Sequence, residues 1–206
     1  MKSAVSGLLV IVVGVLLALA GDAAWAERMD RIREQQILAD LLDEFQENDA
    51  RLRADIETNR QAAAAGAAWA EVMLGQDTVS GDSLAALYLA SNNTARFDPV
   101  TGALRSLLDA SELDIIQDDE LRQVLAGWSD RAEEVRNTAR EMNTTRAGLI
   151  AVVLSVNPGR HLGEGARTAV LMDADYAGGG GLEQQMEALL EHLSGIIVRI
   201  EQALGS

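Results

Sequence analysis

The sequence predicts an all-α protein. An N-terminal transmembrane helix is expected to continue into a long stalk helix, which packs with shorter helices as an antiparallel helical bundle. The composition supports this class, because aromatic residues make up only 3% of the chain, there are two prolines and alanine, leucine and charged residues dominate. Apolar residues also recur at steps of three and four along most of the chain, which is the helical period.

The first 26 residues contain an uncharged apolar run. It extends from Ala4 to Gly21 and includes eleven Leu, Ile or Val residues. Eighteen helical residues cover about 27 Å, close to the thickness of a bilayer's hydrocarbon core. Trp25 follows, where an interfacial aromatic would lie. Residues 1–26 are therefore predicted to form a membrane anchor.

A cleaved signal peptide is the alternative for this segment. Lys2 provides a short basic leader, and Ala18-Leu19-Ala20 and Ala24-Trp25-Ala26 both fit an A-x-A cleavage pattern. The apolar run exceeds the usual length of about 7–15 residues for such a peptide. It also passes without a helix breaker into the next helical segment, so the retained anchor is favoured.

Residues 27–75 are predicted to be one stalk helix that ends near Gly75. Residues 62–70 are mostly alanine, which lets another helix approach closely. The acidic residues among its apolar positions are interpreted as mostly solvent-facing: Glu34, Asp40, Asp43, Glu44 and Glu47. The apolar face consists of Ile32, Leu38, Leu41, Leu42, Phe45, Leu52 and Ile56.

Residues 76–156 are predicted to complete a helical bundle with a helix–connector–helix corner. A helix from Ser80 to Asn93 is expected to have Ser80 or Asp82 as N-cap and Leu84, Leu87 and Tyr88 on its buried side. Asp98-Pro99 fits an N-cap followed by a proline in the first turn. After an apolar connector at Leu113, Ile115 and Ile116, Asp118 is expected to cap a helix that runs to about Val156.

The C-terminal third divides into a loop and a helix. Residues 157–181 are predicted to be an irregular glycine-rich loop, with a helical turn near residues 166–172 and a flexible four-glycine link at 178–181. Residues 182–206 form an amphipathic helix with a heptad seam. The seam packs either inside the bundle or on a second copy of the chain, and its short length favours the bundle. Its members are Met186, Leu189, Leu193, Ile196, Ile200 and Ala203.

No catalytic, cofactor-binding or metal-binding residue is predicted, and no cofactor is expected. His161 lies in a loop without a ligand-forming partner, and His192 is interpreted as solvent-facing. Asp173 and Asp175 lack the further oxygen ligands of a calcium loop. Without cysteine, thiolate chemistry is excluded. The formal charge of −15 argues against binding to nucleic acid or to anionic lipid headgroups.

Three stretches of the sequence resemble a known family. They are GLLVIVVGVLLALAGDAAW, ILADLLDEFQENDARL and FDPVTGALRSLLDASELDIIQDDELRQVLAGW, in that order. Together they resemble a family of uncharacterised bacterial membrane proteins, a domain of unknown function with an N-terminal single span and a helical body. The resemblance covers the span and the chain to about residue 135, and it implies no activity.

The residue patterns and the family resemblance together lead to one functional expectation. It is a non-enzymatic, single-pass protein of the bacterial inner membrane whose soluble domain serves protein–protein contact or assembly, with a protein partner or a second copy. The alternative is an extracytoplasmic ligand-sensing bundle that acts through a partner. The basic residues flanking the span, such as Arg28 and Arg31, favour a cytoplasmic domain. The basic leaders of the family imply a periplasmic one, which is the side we expect, although here only Lys2 stands in that position.

Overall fold

A computed structural model describes the backbone of residues 2–75, 80–154, 167–170, 172 and 180–205, and side chains from residue 14 onward except at 147 and 149–154. Within these ranges all regular elements are helical, so the all-α class is confirmed. We number the helices α1 to α5, with a single 3₁₀ turn between α3 and α4. Their bounds are Lys2–Met73 (α1), Gly81–Ser91 (α2), Gly102–Asp109 (α3), Leu113–Ile115 (3₁₀), Asp119–Leu154 (α4) and Gly180–Leu204 (α5).

The predicted anchor and stalk are one continuous helix. No residue between 2 and 73 interrupts α1, in keeping with the absence of proline from this stretch. Gly75 follows with a φ of 76°, and its N–H donates to the carbonyl of Val72 at 3.0 Å. Glycine adopts this left-handed conformation without steric cost, so the predicted end of the stalk at Gly75 is confirmed.

The predicted membrane anchor lies only partly within the described residues. Side chains 4–13, which make up more than half of the apolar run, are outside them. In the part of the chain that the structure describes, no helix is long and apolar enough to cross a membrane. The retained anchor therefore stays a prediction.

The main core lies where α1, α4 and α5 meet. Arg60 of α1 pairs with Glu183 near the start of α5, and Arg199 near its end pairs with Glu120 at the start of α4. Helix α5 is therefore antiparallel to both α1 and α4, as predicted. Helices α1 and α4 run parallel to each other, because the segment just before α4 meets Glu34 and Trp128 meets Phe45, so the predicted antiparallel arrangement is wrong for this pair.

The heptad seam of α5 is buried, which confirms packing inside the bundle. Five of its six predicted members are buried, Ala203 is half-buried, and Leu182 just before the seam is buried as well. The five are Met186, Leu189, Leu193, Ile196 and Ile200.

A second, smaller core lies at the far end of α1. Trp69 of α1 packs on Tyr88 of α2, with ring centroids 6.1 Å apart, and Leu84 and Leu87 join them. The N–H of Ser83 donates to Ser80 Oγ at 3.2 Å, so the predicted Ser80 cap is confirmed. Residues 167–170 form a helical turn that buries Val170 in the same cluster. The three predicted inward-facing residues of α2 are half-buried.

The predicted glycine-rich loop, residues 157–181, is only partly described. Gly180 and Gly181 belong to α5, so the prediction of a flexible link across the whole four-glycine run is wrong, and the last helix begins two residues before the predicted Leu182. A following amphipathic segment that packs on the bundle supports helical glycine here, despite its low intrinsic propensity. Three residues that were considered as possible ligands lie outside the described residues: His161, Asp173 and Asp175.

Candidate functional site at the helix corner

Two asparagines on α1 hold the extended segment before α3. Asn48 is fully buried, and its side-chain amide donates to the Val100 carbonyl and accepts from the Val100 N–H, both at 2.7 Å. Asn59, eleven residues further along α1, makes the same pair of bonds to Ala95, at 3.3 and 2.8 Å. Since eleven residues are close to three helical turns, both amides lie on one face of α1. They position residues 95–100 along that helix.

Glu44 provides the N-terminal cap of α3 from a distant part of the chain. Its carboxylate accepts from the N–H groups of Ala103 at 2.6 Å and Leu104 at 3.2 Å. The residue is 7% exposed, so the prediction that it faces solvent is wrong. Burial raises the pKa of Glu44, and the hydrogen bonds from Ala103 and Leu104 offset part of that rise.

The predicted start of α3 at Asp98-Pro99 is also wrong. The helix begins at Gly102, and its N-cap residue, Thr101, makes no side-chain capping bond. Asn48 binds both backbone groups of Val100, which keeps that residue out of a helical turn. The charged cap from Glu44 replaces the predicted local one.

The predicted start of α4 is confirmed. Asp118 Oδ1 accepts from the N–H groups of Glu120 at 2.8 Å and Leu121 at 3.0 Å. Asp119 and Glu120 occupy the first turn, where the helix dipole favours anions. The preceding apolar connector forms the 3₁₀ turn, after which Ile116 is fully buried.

A polar cleft opens between α3 with its leading segment and the middle of α4. Its volume is about 380 Å³. The Nη1 of Arg136 lies 3.9 Å from Oδ1 of Asp98, which is too long for a hydrogen bond. One wall carries Asp98, Thr101, Arg105 and Asp109, and the other carries Ser129, Glu133 and Arg136. We call this space the corner cleft.

Among the described residues, the two arginines of the corner cleft have no close carboxylate partner. Within the described ranges, Arg105 has no carboxylate within 4.0 Å, and Arg136 has only the distant Asp98. The Nε of Arg136 is buried without an acceptor. By contrast, several exposed arginines have a carboxylate oxygen at 2.7 Å or closer. These are Arg31, Arg51, Arg53, Arg60 and Arg199.

The sequence analysis did not identify the residues of the corner cleft. Arg105 and Asp109 have the spacing of an ordinary surface ion pair on one helix, so their sequence positions do not indicate a ligand site. Only the approach of α4 places Glu133 and Arg136 opposite them. Among the described residues, no group of three or more acidic or histidine side chains is arranged to hold a metal ion.

His192 is the second polar feature of the bundle, and the prediction that it faces solvent is wrong. Its ring is half-buried and stacks on Trp128, with centroids 6.5 Å apart and planes 13° from parallel. Its Nε2 is buried without a hydrogen-bond partner. Desolvation lowers the pKa of His192, and the positive charge of Arg131 lowers it further.

This burial predicts a pH dependence of stability. Below the ordinary histidine pKa of about 6.5, the unfolded chain binds a proton at this position more readily than the folded one. The free energy of unfolding is therefore expected to fall as the pH drops through 6.5, and to level off below the folded-state pKa. Urea unfolding of the wild type and of His192→Gln at about pH 7.5 and about pH 5.5 measures this. The stability difference between the two proteins should change between the two pH values, to the disadvantage of the wild type at the lower one. A constant difference would contradict the prediction.

Comparisons with known proteins add no relative to this description. No protein-family model matches the chain, and neither the curated proteins nor the solved structures contain a significant match.

Proposed function

We propose that the chain is a non-enzymatic, single-pass protein of the bacterial inner membrane, whose helical bundle serves protein–protein contact or assembly on the periplasmic side. One observation carries the proposal. From residue 14 to residue 33, every side chain of α1 is exposed. Large apolar residues are among them: Val15, Leu16, Leu17, Leu19, Trp25, Met29 and Ile32.

The exposed apolar residues of α1 need a cover that the described part of the chain does not provide. The bundle first contacts α1 near Glu34, which accepts from the N–H of Gln117 at 2.6 Å. A bilayer would cover the run from Ala4 to Gly21, and insertion of its aliphatic residues is favourable by about 0.3–0.6 kcal/mol each. Trp25 would then lie at the headgroups. The periplasmic side rests on the resemblance to the membrane family.

A second apolar row on α1 lies beyond the proposed span. Trp25, Met29 and Ile32 are separated by four and three residues, so they share one face of the helix. Leu41, a core residue, is nine residues after Ile32, or two and a half turns at about 100° per residue. The row therefore faces away from the bundle, so the prediction that Ile32 shares the apolar face of Leu38 and Leu41 is wrong.

A helix of another membrane protein is the occupant that fits this row best. If two copies packed side by side in parallel along the row, Arg28 of one would approach Arg33 of the other, since these residues flank the seam at positions that meet in parallel coiled coils. Because Arg33 already pairs with Glu112, such a contact would bring Arg28 no carboxylate, which disfavours self-pairing. Arg28 has no ion-pair partner among the described residues, so a partner helix with a carboxylate at the flanking position would be preferred.

Membrane attachment is tested by placing charges in the apolar run. In the double variant Val12→Arg/Leu16→Arg, each arginine is expected to oppose insertion by about 2.5–3.5 kcal/mol, which is enough to offset the aliphatic contribution. The wild type should remain in the membrane pellet after carbonate extraction and retain Lys2 on N-terminal sequencing, whereas the variant should be soluble.

A matched control places the same charges on the bundle. Leu89 and Val198 are exposed apolar residues of α2 and α5, so Leu89→Arg/Val198→Arg should stay in the membrane pellet. A wild-type chain that begins at Gly21 or Glu27, or that extracts as readily as Val12→Arg/Leu16→Arg, would overturn the anchor.

The partner contact is tested by cysteine cross-linking, which the cysteine-free sequence makes clean. Single cysteines at Trp25, Met29 and Ile32 should cross-link in native membranes to a protein of another mass through a thiol–amine reagent. Asp30→Cys, on another face of the same turn, is the matched control and should cross-link weakly. Equal yields at all four positions would contradict the contact, and a product of twice the chain mass would identify self-association instead.

A ligand-sensing bundle that acts through such a partner is the second candidate function. The observation that favours it is the corner cleft, a polar space of about 380 Å³ between two helices. Ligand pockets commonly have volumes of about 300–1,000 Å³. This candidate needs the same membrane anchor and partner as the first.

A further inference from the structure

The corner cleft contains separated charges of both signs rather than closed ion pairs. Arg105 is four residues before Asp109 on α3, and Glu133 is three residues before Arg136 on α4. Either spacing would allow an ion pair within one helix. Neither pair comes within 4.0 Å in the described structure, although all four residues line the same space. The α3 wall therefore offers the guanidinium of Arg105 and the carboxylates of Asp98 and Asp109, and the α4 wall offers the guanidinium of Arg136 and the carboxylate of Glu133.

The guanidinium groups suit a carboxylate ligand. Arg136 is about one-third exposed, and Asp98 at 3.9 Å leaves its Nη groups without a close acceptor. A guanidinium can donate two parallel hydrogen bonds to one carboxylate, which is stronger and more directional than an ammonium contact. Arg105 on the opposite wall could approach the same carboxylate from its other side.

The carboxylate groups suit a cation on the same ligand. Asp109 and Glu133 lie on opposite walls and are exposed. Within the described residues, neither has a basic group within 4.0 Å. A ligand with only a negative charge would be repelled by them, and by Asp98, whereas one with only a positive charge would be repelled by the two arginines. A molecule with both charges close together would satisfy all four groups.

We propose that the corner cleft binds a small zwitterion of the α-amino acid class. Its carboxylate is held by Arg136 and Arg105, and its ammonium group by Asp109 and Glu133. Thr101 and Ser129 place hydroxyl groups on the two walls that can bind a polar side chain of the ligand. The inference rests on the second candidate function, because a sensor requires a ligand.

Ligand binding here would act on the connection between the cleft and the anchored helix. Thr101 and Arg105 belong to the segment that Asn48 and Glu44 fix to α1. A molecule that bridges α3 and α4 would therefore tie the middle of α4 to α1 through that segment. Binding to the folded state alone raises its stability, so occupancy can be measured as a shift in Tm.

The test measures the Tm of the full chain in detergent micelles, with and without an equimolar mixture of the common L-amino acids. Each amino acid is present at about 1 mM, so that a component with a Kd well below this concentration stabilises the folded state. The mixture should raise Tm, and subtraction of single amino acids should identify the component responsible. Succinate and 1,4-diaminobutane, which carry one sign of charge, should raise Tm much less at the same ionic strength.

The variants separate binding from folding. Arg105→Gln changes an exposed side chain, should leave the Tm of the free protein unchanged, and should weaken binding of the identified amino acid at least tenfold by calorimetry. Arg136→Gln should weaken it further. Arg51→Gln/Arg53→Gln, two exposed arginines on α1 away from the cleft, is the matched control and should bind as the wild type does.

Two results would overturn the inference. One is the absence of a Tm shift with the mixture, and the other is a shift that persists unchanged in Arg105→Gln. The cross-linking of Met29→Cys to a partner would be unaffected by either result, so failure of the ligand site and failure of the proposed membrane contact are distinguishable.

Discussion

Replacement of Trp128 by alanine is expected to lower the free energy of unfolding by about 3–5 kcal/mol, the largest effect of any single substitution in the bundle. Trp128 is 0% exposed and lies where α1, the segment before α3, α4 and α5 meet. Its ring centroid is 5.2 Å from that of Phe45, 6.4 Å from that of Phe97 and 6.5 Å from that of His192. Removing it would leave a cavity that four elements line.

The other two tryptophans provide matched controls. Trp25 is 67% exposed, so Trp25→Ala should change stability by less than about 0.5 kcal/mol. Trp69 belongs to the smaller core with α2, and Trp69→Ala should destabilise that end of the protein while the main core persists. Urea unfolding of the full chain in micelles, followed by far-UV circular dichroism, measures all three. A loss of less than about 1 kcal/mol for Trp128→Ala would contradict the central position of this ring.

A conservative variant separates packing from hydrogen bonding at the same position. The indole Nε1 of Trp128 is buried and has no acceptor, so its N–H contributes no bond that would be lost. Trp128→Phe keeps an aromatic ring and removes that unsatisfied donor. Trp128→Phe should therefore lower the free energy of unfolding much less than Trp128→Ala does. Equal losses for the two variants would contradict this, because the phenyl ring would then preserve none of the stabilisation that the indole provides.

The helices could be predicted because their signals are local. Ser80 and Asp118 cap helices through N–H groups two or three residues away, and the left-handed Gly75 ends α1 through its own backbone. Periodicity likewise placed the α5 seam, because burial on one face repeats every three to four residues. Each of these features is determined within one or two helical turns of sequence.

The corner could not be predicted because its bonds join distant residues. Glu44 and Glu47 look alike in sequence, yet only Glu44 meets the backbone of α3, 59 residues later. An acidic residue on an amphipathic helix usually faces solvent, and nothing nearby in the sequence marks the exception. The same holds for Arg105 and Arg136, which share a cleft only through tertiary packing.

His192 shows a different limit of pattern analysis. It precedes the seam residue Leu193, so a narrow seam leaves it outside the buried stripe. Because α5 contacts both α1 and α4, its buried face is wider than the seam of a two-helix contact. The ring therefore lies against Trp128, and its ring nitrogen Nε2 is desolvated.

Asn48 is expected to be the most sensitive polar residue of the corner. Asn48→Ala removes both hydrogen bonds to Val100. The backbone N–H and carbonyl of Val100 would then face an apolar side chain. Two partly buried groups without partners are expected to cost about 2–4 kcal/mol in total. Because Val100 also determines where α3 begins, its release should weaken protection of the α3 amides against hydrogen exchange more than protection elsewhere in the bundle.

Asn48→Asp distinguishes directional bonding from size, since it keeps the volume but replaces the donor with a second acceptor. The new oxygen would face the Val100 carbonyl, which the amide donates to at 2.7 Å in the wild type. At neutral pH we therefore expect a loss of stability at least as large as that of Asn48→Ala.

Two further variants serve as controls. Asn59→Ala breaks the same pair of bonds at a half-buried position and should lower the stability less, and Glu47→Ala should have almost no effect. If Asn48→Asp were as stable as the wild type, the two bonds to Val100 could not be what fixes this segment to α1, and the start of α3 would have to depend on Glu44 alone.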